Sequence, residues 1–224
     1  MSKNTNKNTS KEKQDNTQAT KIKFCGMMQP KDVIAAMDLK ADYVGFILSD
    51  GFKRTVSLGT FCELESYVQD GRMRGQSVQK VGVFVNEPIE NIMKYYEEML
   101  DVIQLHGQED DEYIKALRQQ TSKPIIKAFK ITSALDVQKA RESLADYVLL
   151  DSGTGTGKTF DHSLIGEIDR PYFLAGGLNA DNVGEAIAAL HPYAVDASSG
   201  LETDGKKDPD KMKAFTSAVR KYTD

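Results

Sequence analysis

The sequence predicts a single (β/α)8 barrel, and three observations carry that reading. Short β-branched runs alternate with longer segments whose apolar residues recur at the third and fourth positions, the pattern of βαβ units. Eight such runs fall between residues 21 and 197. The body that holds them is about 200 residues long, at the small end for this architecture.

The predicted strands are KIKF at 21–24, YVGFIL at 43–48, KVGVFV at 80–85, VIQL at 102–105, PIIKAF at 124–129, YVLL at 147–150, YFLA at 172–175 and AVDA at 194–197. Helical patterns lie between them, among them PKDVIAAMDLK after the first strand, PIENIMKYYEEML after the third and NADNVGEAIAALH after the seventh. Pro30 and Pro88 suit a first helical turn, where no amide hydrogen is needed. DPDKMKAFTSAVRKY closes the chain as an eighth helix. With a helix after each strand, the strands run parallel and close on themselves. The competing open doubly wound sheet would carry GxGxxG at its first turn, which instead reads FCGMMQ.

A barrel gathers chemistry at the C-terminal ends of its strands. The residues expected there are Cys25, Arg54, Asn86, His106, Asp151, Gly176, Gly177, Asp196, Ser199 and Gly200. LAGGLNADNV places Gly176 and Gly177 between a strand and a helix, and DASSGLETDGKKD supplies Ser199 and Gly200 after the eighth strand. Glycines let backbone amides approach an anion, and the loops after strands seven and eight are where this fold usually holds phosphate. Together they predict a phosphorylated small-molecule ligand.

The sixth loop, LLDSGTGTGKTFDH, fails as a Walker A motif because Ser152 stands where the first glycine is required. It reads as a glycine-rich lid, with Lys158 either steering an anionic substrate or facing water. Asp151 ends an apolar strand, where a carboxylate is costly without a role or a partner; capping its own loop is the alternative. Cys25 at a barrel mouth, across from that acid, can serve as nucleophile or base once ionised, whereas elsewhere it would be a small buried hydrophobe. Cys62, inside the second helical pattern, reads as core. Arg54 suits a carboxylate ligand or simple exposure. His106 lines the mouth or caps its loop, and local sequence leaves both open.

Composition removes other classes. A net charge of −4 and a pI near 5.5 disfavour a nucleic-acid binder. Two distant cysteines and three scattered histidines match no zinc spacing and no disulfide scaffold, so no metal is expected. Residues 1–20 are polar, without the apolar stretch of a secretory signal, and read as a disordered tail. No apolar run approaches the roughly 18 residues that span a bilayer. The expected setting is cytoplasmic, with no membrane partner and a monomer or homodimer.

The segments KIKFCGM, ADYVGFIL, KRTVS, VGVFVNEP, IQLHGQE, LLDSGTGTGKTFDHSLI, FLAGGLNADNV, AVDASSGLET and GKKD, in that order and spacing, resemble the phosphoribosylanthranilate isomerase family of tryptophan biosynthesis. The resemblance implies an Amadori rearrangement of N-(5-phosphoribosyl)anthranilate to 1-(2-carboxyphenylamino)-1-deoxyribulose 5-phosphate, without metal or organic cofactor. It further implies Asp151 as general acid, Cys25 as general base, Arg54 on the anthranilate carboxylate and Asp196 near the sugar and amine. Phosphate would lie on Gly176, Gly177, Ser199 and Gly200. The chain departs from the family in Met27 and Met28 after Gly26, in SDGF before the arginine, and in His162 after TFD. Two other readings compete: a phosphosugar-binding barrel without catalysis, and the related isomerase of histidine biosynthesis, which has an aspartate where Cys25 stands. The indole-forming synthase would need a lysine where the third strand ends VFVN.

Overall fold

A computed structural model describes residues 19–151, 165 and 168–222. Eight parallel strands close into a barrel in sequence order: β1 (Lys21–Cys25), β2 (Tyr43–Ile47), β3 (Gln79–Phe84), β4 (Val102–Leu105), β5 (Ile125–Lys130), β6 (Tyr147–Asp151), β7 (Tyr172–Ala175) and β8 (Ala194–Ala197). All eight predicted strands form. Closure is made by β1 on β8, with Lys23 opposite Asp196 in register. A short antiparallel hairpin, β9 (Glu202–Thr203) and β10 (Lys206–Lys207), follows β8.

Seven α-helices lie among the described residues: α1 (Pro30–Asp38), α2 (Leu58–Met73), α3 (Ile89–Tyr95), α4 (Asp111–Arg118), α5 (Ala134–Glu142), α6 (Val183–Leu190) and α7 (Pro209–Arg220). Their starts follow the expected chemistry. Pro30 and Pro209 occupy first-turn positions, and the side chains of Ser57, Asp110, Ser133 and Asp208 accept hydrogen bonds from amides of the first turn. Pro88 sits one place earlier than expected, capping α3 rather than opening it. The predicted single helix over 88–100 also stops at Tyr95. A 3-10 turn over Glu97–Met99 follows, carrying the chain down to buried Leu100 and into β4.

Two apolar layers form because strand side chains alternate between faces. On β1, Ile22 and Phe24 face outward into the shell shared with the helices, and Lys21, Lys23 and Cys25 face the lumen. The lumen is filled at its lower levels by Tyr43, Val81, Val102, Ile126, Leu149, Phe173 and Ala194. At the N-terminal end, Phe173 packs edge-on to Tyr43, Tyr147 and Tyr193, and the Lys21 ammonium sits 5.0 Å from the Tyr193 ring centre. A buried ring of this size contributes about 1.5–3 kcal/mol.

Cys62 is a correction to the sequence reading, since its thiol is exposed. The face of α2 that meets the barrel runs through Phe61, Leu64 and Val68, and Cys62, one step on from Phe61, is turned away. Thr20, placed in the tail by sequence, is buried, and its hydroxyl donates to the Pro192 carbonyl at 3.2 Å. Residues 1–18 of that tail lie outside the described residues, as do the sixth-loop lid, Lys158 and His162.

Candidate active site

The C-terminal ends of the strands surround a cavity of about 530 Å³. Cys25, Arg54, His106, Asp151, Gly176, Gly177, Asp196, Ser199 and Gly200 all line it. Asn86 does not. Its backbone adopts φ +50° and its amide donates to Glu109 Oε1, which makes it a loop former.

Cys25 is the last residue of β1, with 8% of its surface accessible. Burial pushes its thiol pKa up, Lys23 and Lys207 pull it back, and Asp196 adds to the rise. Ser198 Oγ donates to the Cys25 carbonyl at 3.0 Å. The two methionines that depart from the family pattern leave this backbone satisfied. Met27 N bonds the Gly45 carbonyl, and Met28 N bonds Asp32 in the cap of α1.

Lys23 and Asp196 form a buried ion pair at 2.9 Å beneath the thiol. Asp196 Oδ1 accepts no hydrogen bond from any described residue, and neither does Gln104 Oε1 in the same cavity. Two buried acceptors without partners point to donors supplied by a ligand.

On the far wall, His106 Nε2 is 3.8 Å from Asp151 Oδ2, and Gln104 Nε2 lies 3.0 Å from His106 Nδ1. With the amide oriented this way, Gln104 donates to Nδ1, which leaves the ring proton on Nε2 facing Asp151. Burial lowers the His106 pKa against the pull of Asp151, which favours the neutral ring.

Arg54, in the loop after β2, gives Nε to Glu202 Oε1 at 2.5 Å and Nη2 to Glu202 Oε2 at 2.9 Å. Lys207 Nζ reaches the same Glu202 Oε1 at 2.8 Å and the Ser198 carbonyl at 3.0 Å. Burial would raise the Glu202 carboxyl, yet these cations hold it down at about 2. The loops after β7 and β8 meet backbone to backbone. A Cβ on Gly200 would lie 2.1 Å from the Leu178 carbonyl oxygen, and Gly176 and Gly177 adopt φ of +101° and +66°.

The sequence profile of N-(5'-phosphoribosyl)anthranilate isomerase matches residues 22–218. The chain belongs to this family. The N-(5'-phosphoribosyl)anthranilate isomerase of Caldanaerobacter subterraneus is 41% identical over 208 residues, covering 89% of this chain and 98% of the relative. The crystal structure of phosphoribosyl anthranilate isomerase from Thermotoga maritima superposes with a TM-score of 0.79 at 34% identity, covering 90% and 99% of the two chains. A structure of phosphoribosyl anthranilate isomerase in complex with reduced 1-(o-carboxyphenylamino)-1-deoxyribulose 5-phosphate superposes with a TM-score of 0.77 at 33% identity, with the same coverage.

For a phosphoribosylanthranilate isomerase family member, the sequence located most of the cavity wall but not the charged groups packed beside it. Lys23, Gln104, Ser198, Glu202 and Lys207 were not among the expected residues. Lys23 carried one signal, its place two residues before Cys25 on one strand, which sends both side chains to the same side. Among the described residues no group of three or more His, Cys, Asp or Glu side chains could hold a metal ion, and no helix is long and apolar enough to cross a membrane.

Proposed function

We propose that the protein catalyses the Amadori rearrangement of N-(5'-phosphoribosyl)anthranilate to 1-(2-carboxyphenylamino)-1-deoxyribulose 5-phosphate, the isomerase step of tryptophan biosynthesis, with Asp151 as general acid and Cys25 as general base. The observation that carries this is the sharing of one cavity by Cys25, Asp151 and the glycine loops after β7 and β8. The family membership and the product analogue named for a relative support the substrate.

Phosphate binds at Gly176, Gly177, Ser199 and Gly200, where backbone amides, three of them on glycines without side chains, admit an anion closely. That anchor sets the sugar between β1 and β6. Asp151 protonates the furanose ring oxygen as the anilino nitrogen lone pair expels it, opening the ring to an iminium ion. The Cys25 thiolate then removes the C2 proton, and the electrons move into the iminium to give an enolamine. Tautomerisation to the ketone completes the isomerisation. Each positioned acid or base contributes about 10²–10⁴ in rate. No external electron acceptor is needed, because the iminium itself is the sink.

Asp196 Oδ1, buried without a partner on a residue that lines the cavity, accepts a hydrogen bond from a sugar hydroxyl or the anilino N–H. Arg54 meets the anthranilate carboxylate. Its Nε and Nη2 are engaged by Glu202, so the carboxylate takes Nη1 or shares Nη2.

The test follows the fluorescence of phosphoribosylanthranilate as purified protein is added. Loss of signal with the parent is expected, and most turnover should vanish in Cys25→Ser and in Asp151→Asn while a reduced product analogue still binds. Near-parental rates in both variants would remove the mechanism.

A further inference from the structure

We infer that Lys23 is a positioning residue of the reaction, whose buried ammonium supplies the charge against which Cys25 stands as a thiolate. The inference rests on the reading of Cys25 as the base. It begins from a packing anomaly. Lysine is almost never fully buried unless paired, yet Lys23 is 0% exposed in the lumen, where strands farther round the barrel contribute Val81, Val83 and Leu149. An apolar side chain would fill the same space without any ion to desolvate.

Asp196 accounts for one of the three ammonium hydrogens, through Oδ2 at 2.9 Å. A second direction leads to the thiol. Lys23 and Cys25 lie two residues apart on β1 and share its inner face. A Cβ built on Gly45, opposite them on β2, would lie 2.8 Å from Cys25 Sγ and 3.2 Å from Lys23 Nζ. Sulfur and nitrogen therefore border the same notch, kept open because residue 45 has no side chain.

The charges around the sulfur lead to the same conclusion. Lys23, Arg54 and Lys207 are cationic, Asp196 and Glu202 anionic, and each cation is paired with one of the two carboxylates. This set carries one net positive charge when Cys25 is a thiol and none when it is a thiolate. The Ser198 hydroxyl is neutral and spends its proton on the Cys25 carbonyl, and His106 and Asp151 stand on the facing wall. Burial raises the thiol pKa, and Lys23 is the first of the groups that oppose the rise. Burial lowers the Lys23 pKa, but Asp196 and Cys25 more than restore it, so the ammonium keeps its proton. Lys23 thus transfers nothing. It holds the thiolate ready to take the C2 proton, and it holds Asp196 through Oδ2, leaving Oδ1 without a partner.

The experiment uses a Cys62→Ser background, in which Cys25 is the sole thiol. The rate of Cys25 alkylation by iodoacetamide is measured against pH in this parent and in Lys23→Met. The alkylation midpoint should rise by about one pH unit or more, slowing alkylation at neutral pH about tenfold, and kcat should fall in step. Because Lys23→Met leaves Asp196 buried without its cation, Lys23→Met/Asp196→Asn removes both charges and repeats the alkylation curve. An unshifted midpoint in folded Lys23→Met overturns the inference; in the double variant the rise should be smaller than in Lys23→Met, because the Asp196 charge that opposes the thiolate leaves as well. A third measurement needs no substitution at Lys23: the ¹⁵Nζ signal of Lys23 should move with the Cys25 titration and lose that step in Cys25→Ser, and absence of the step also overturns it. Full turnover in Cys25→Ser would instead sink the assignment of the base and leave the alkylation midpoints standing.

Discussion

Arg54 and Glu202 are joined by two parallel hydrogen bonds, Nε to Oε1 at 2.5 Å and Nη2 to Oε2 at 2.9 Å. The pair ties the loop after β2 to the hairpin after β8 across the seam where the barrel closes. Glu202→Gln should lower the unfolding free energy by about 1.5–3 kcal/mol, as expected for losing charged hydrogen bonds, in urea titrations at neutral pH. It also carries a pH signature. The folded carboxyl titrates at about 2, below its ordinary 4.5, so its stabilisation is complete above pH 4.5 and is lost as pH falls toward 2. The parent should lose stability across that window faster than Glu202→Gln, and parallel curves would refute the assignment.

Cys25 sets the opposite limb. Burial raises the thiol above its ordinary 9.0, so the thiolate is the minor form at neutral pH and grows as pH rises. If the thiolate is the base, kcat/KM should climb from neutral pH into the alkaline range. Inactivation by iodoacetamide should follow the same curve and be slowed by a phosphorylated product analogue. A flat profile would separate Cys25 from the chemistry.

Gly45→Ala places a methyl group 2.8 Å from Cys25 Sγ and 3.2 Å from Lys23 Nζ. The strand tolerates alanine, but the notch does not. Stability should fall by about 1–3 kcal/mol from overpacking. The sharper outcome is in kcat, expected to drop about tenfold or more because small displacements of reacting groups are costly, with KM less affected.

Gly200→Ala tests the phosphate end. Its Cβ would meet the Leu178 carbonyl at 2.1 Å, a contact that only backbone movement relieves. The loops after β7 and β8 would separate, and if they hold the phosphate KM should rise about tenfold, equivalent to roughly 1.4 kcal/mol of binding. Inorganic phosphate should inhibit the variant less than the parent. Unchanged KM and unchanged phosphate inhibition would move the anion elsewhere.

Phe173→Ala probes the closed end of the barrel, where the ring is fully buried among Tyr43, Tyr147 and Tyr193. Removing it should cost about 3–5 kcal/mol in chemical denaturation. KM should stay at the parental value, since the cavity lies at the other end of the strands.

The sequence revealed what depends on period and position. Strand runs such as YVGFIL and YFLA, and loop glycines such as Gly176 and Gly177, announce themselves because parallel strands and close backbone turns each demand particular residue types. Lys23 stayed hidden for a physical reason: an alternating Lys-Ile-Lys-Phe run looks half solvated, and only closure of the sheet turns its polar face into a lumen. Glu202 reaches Arg54, and Lys207 reaches Glu202, through a two-stranded hairpin whose fold no local pattern fixes. Cys62 was misplaced because membership in a helical pattern does not say which face of the helix a single residue takes.

The division of labour along β1 has an evolutionary corollary. Its even positions, Ile22 and Phe24, seal the shell, and its odd positions, Lys21, Lys23 and Cys25, carry cations and sulfur. A single-codon deletion in this stretch would exchange the two sets, driving ammonium groups under the helices and oily side chains into the reaction chamber. Substitutions can therefore explore this segment one residue at a time, but length changes cannot.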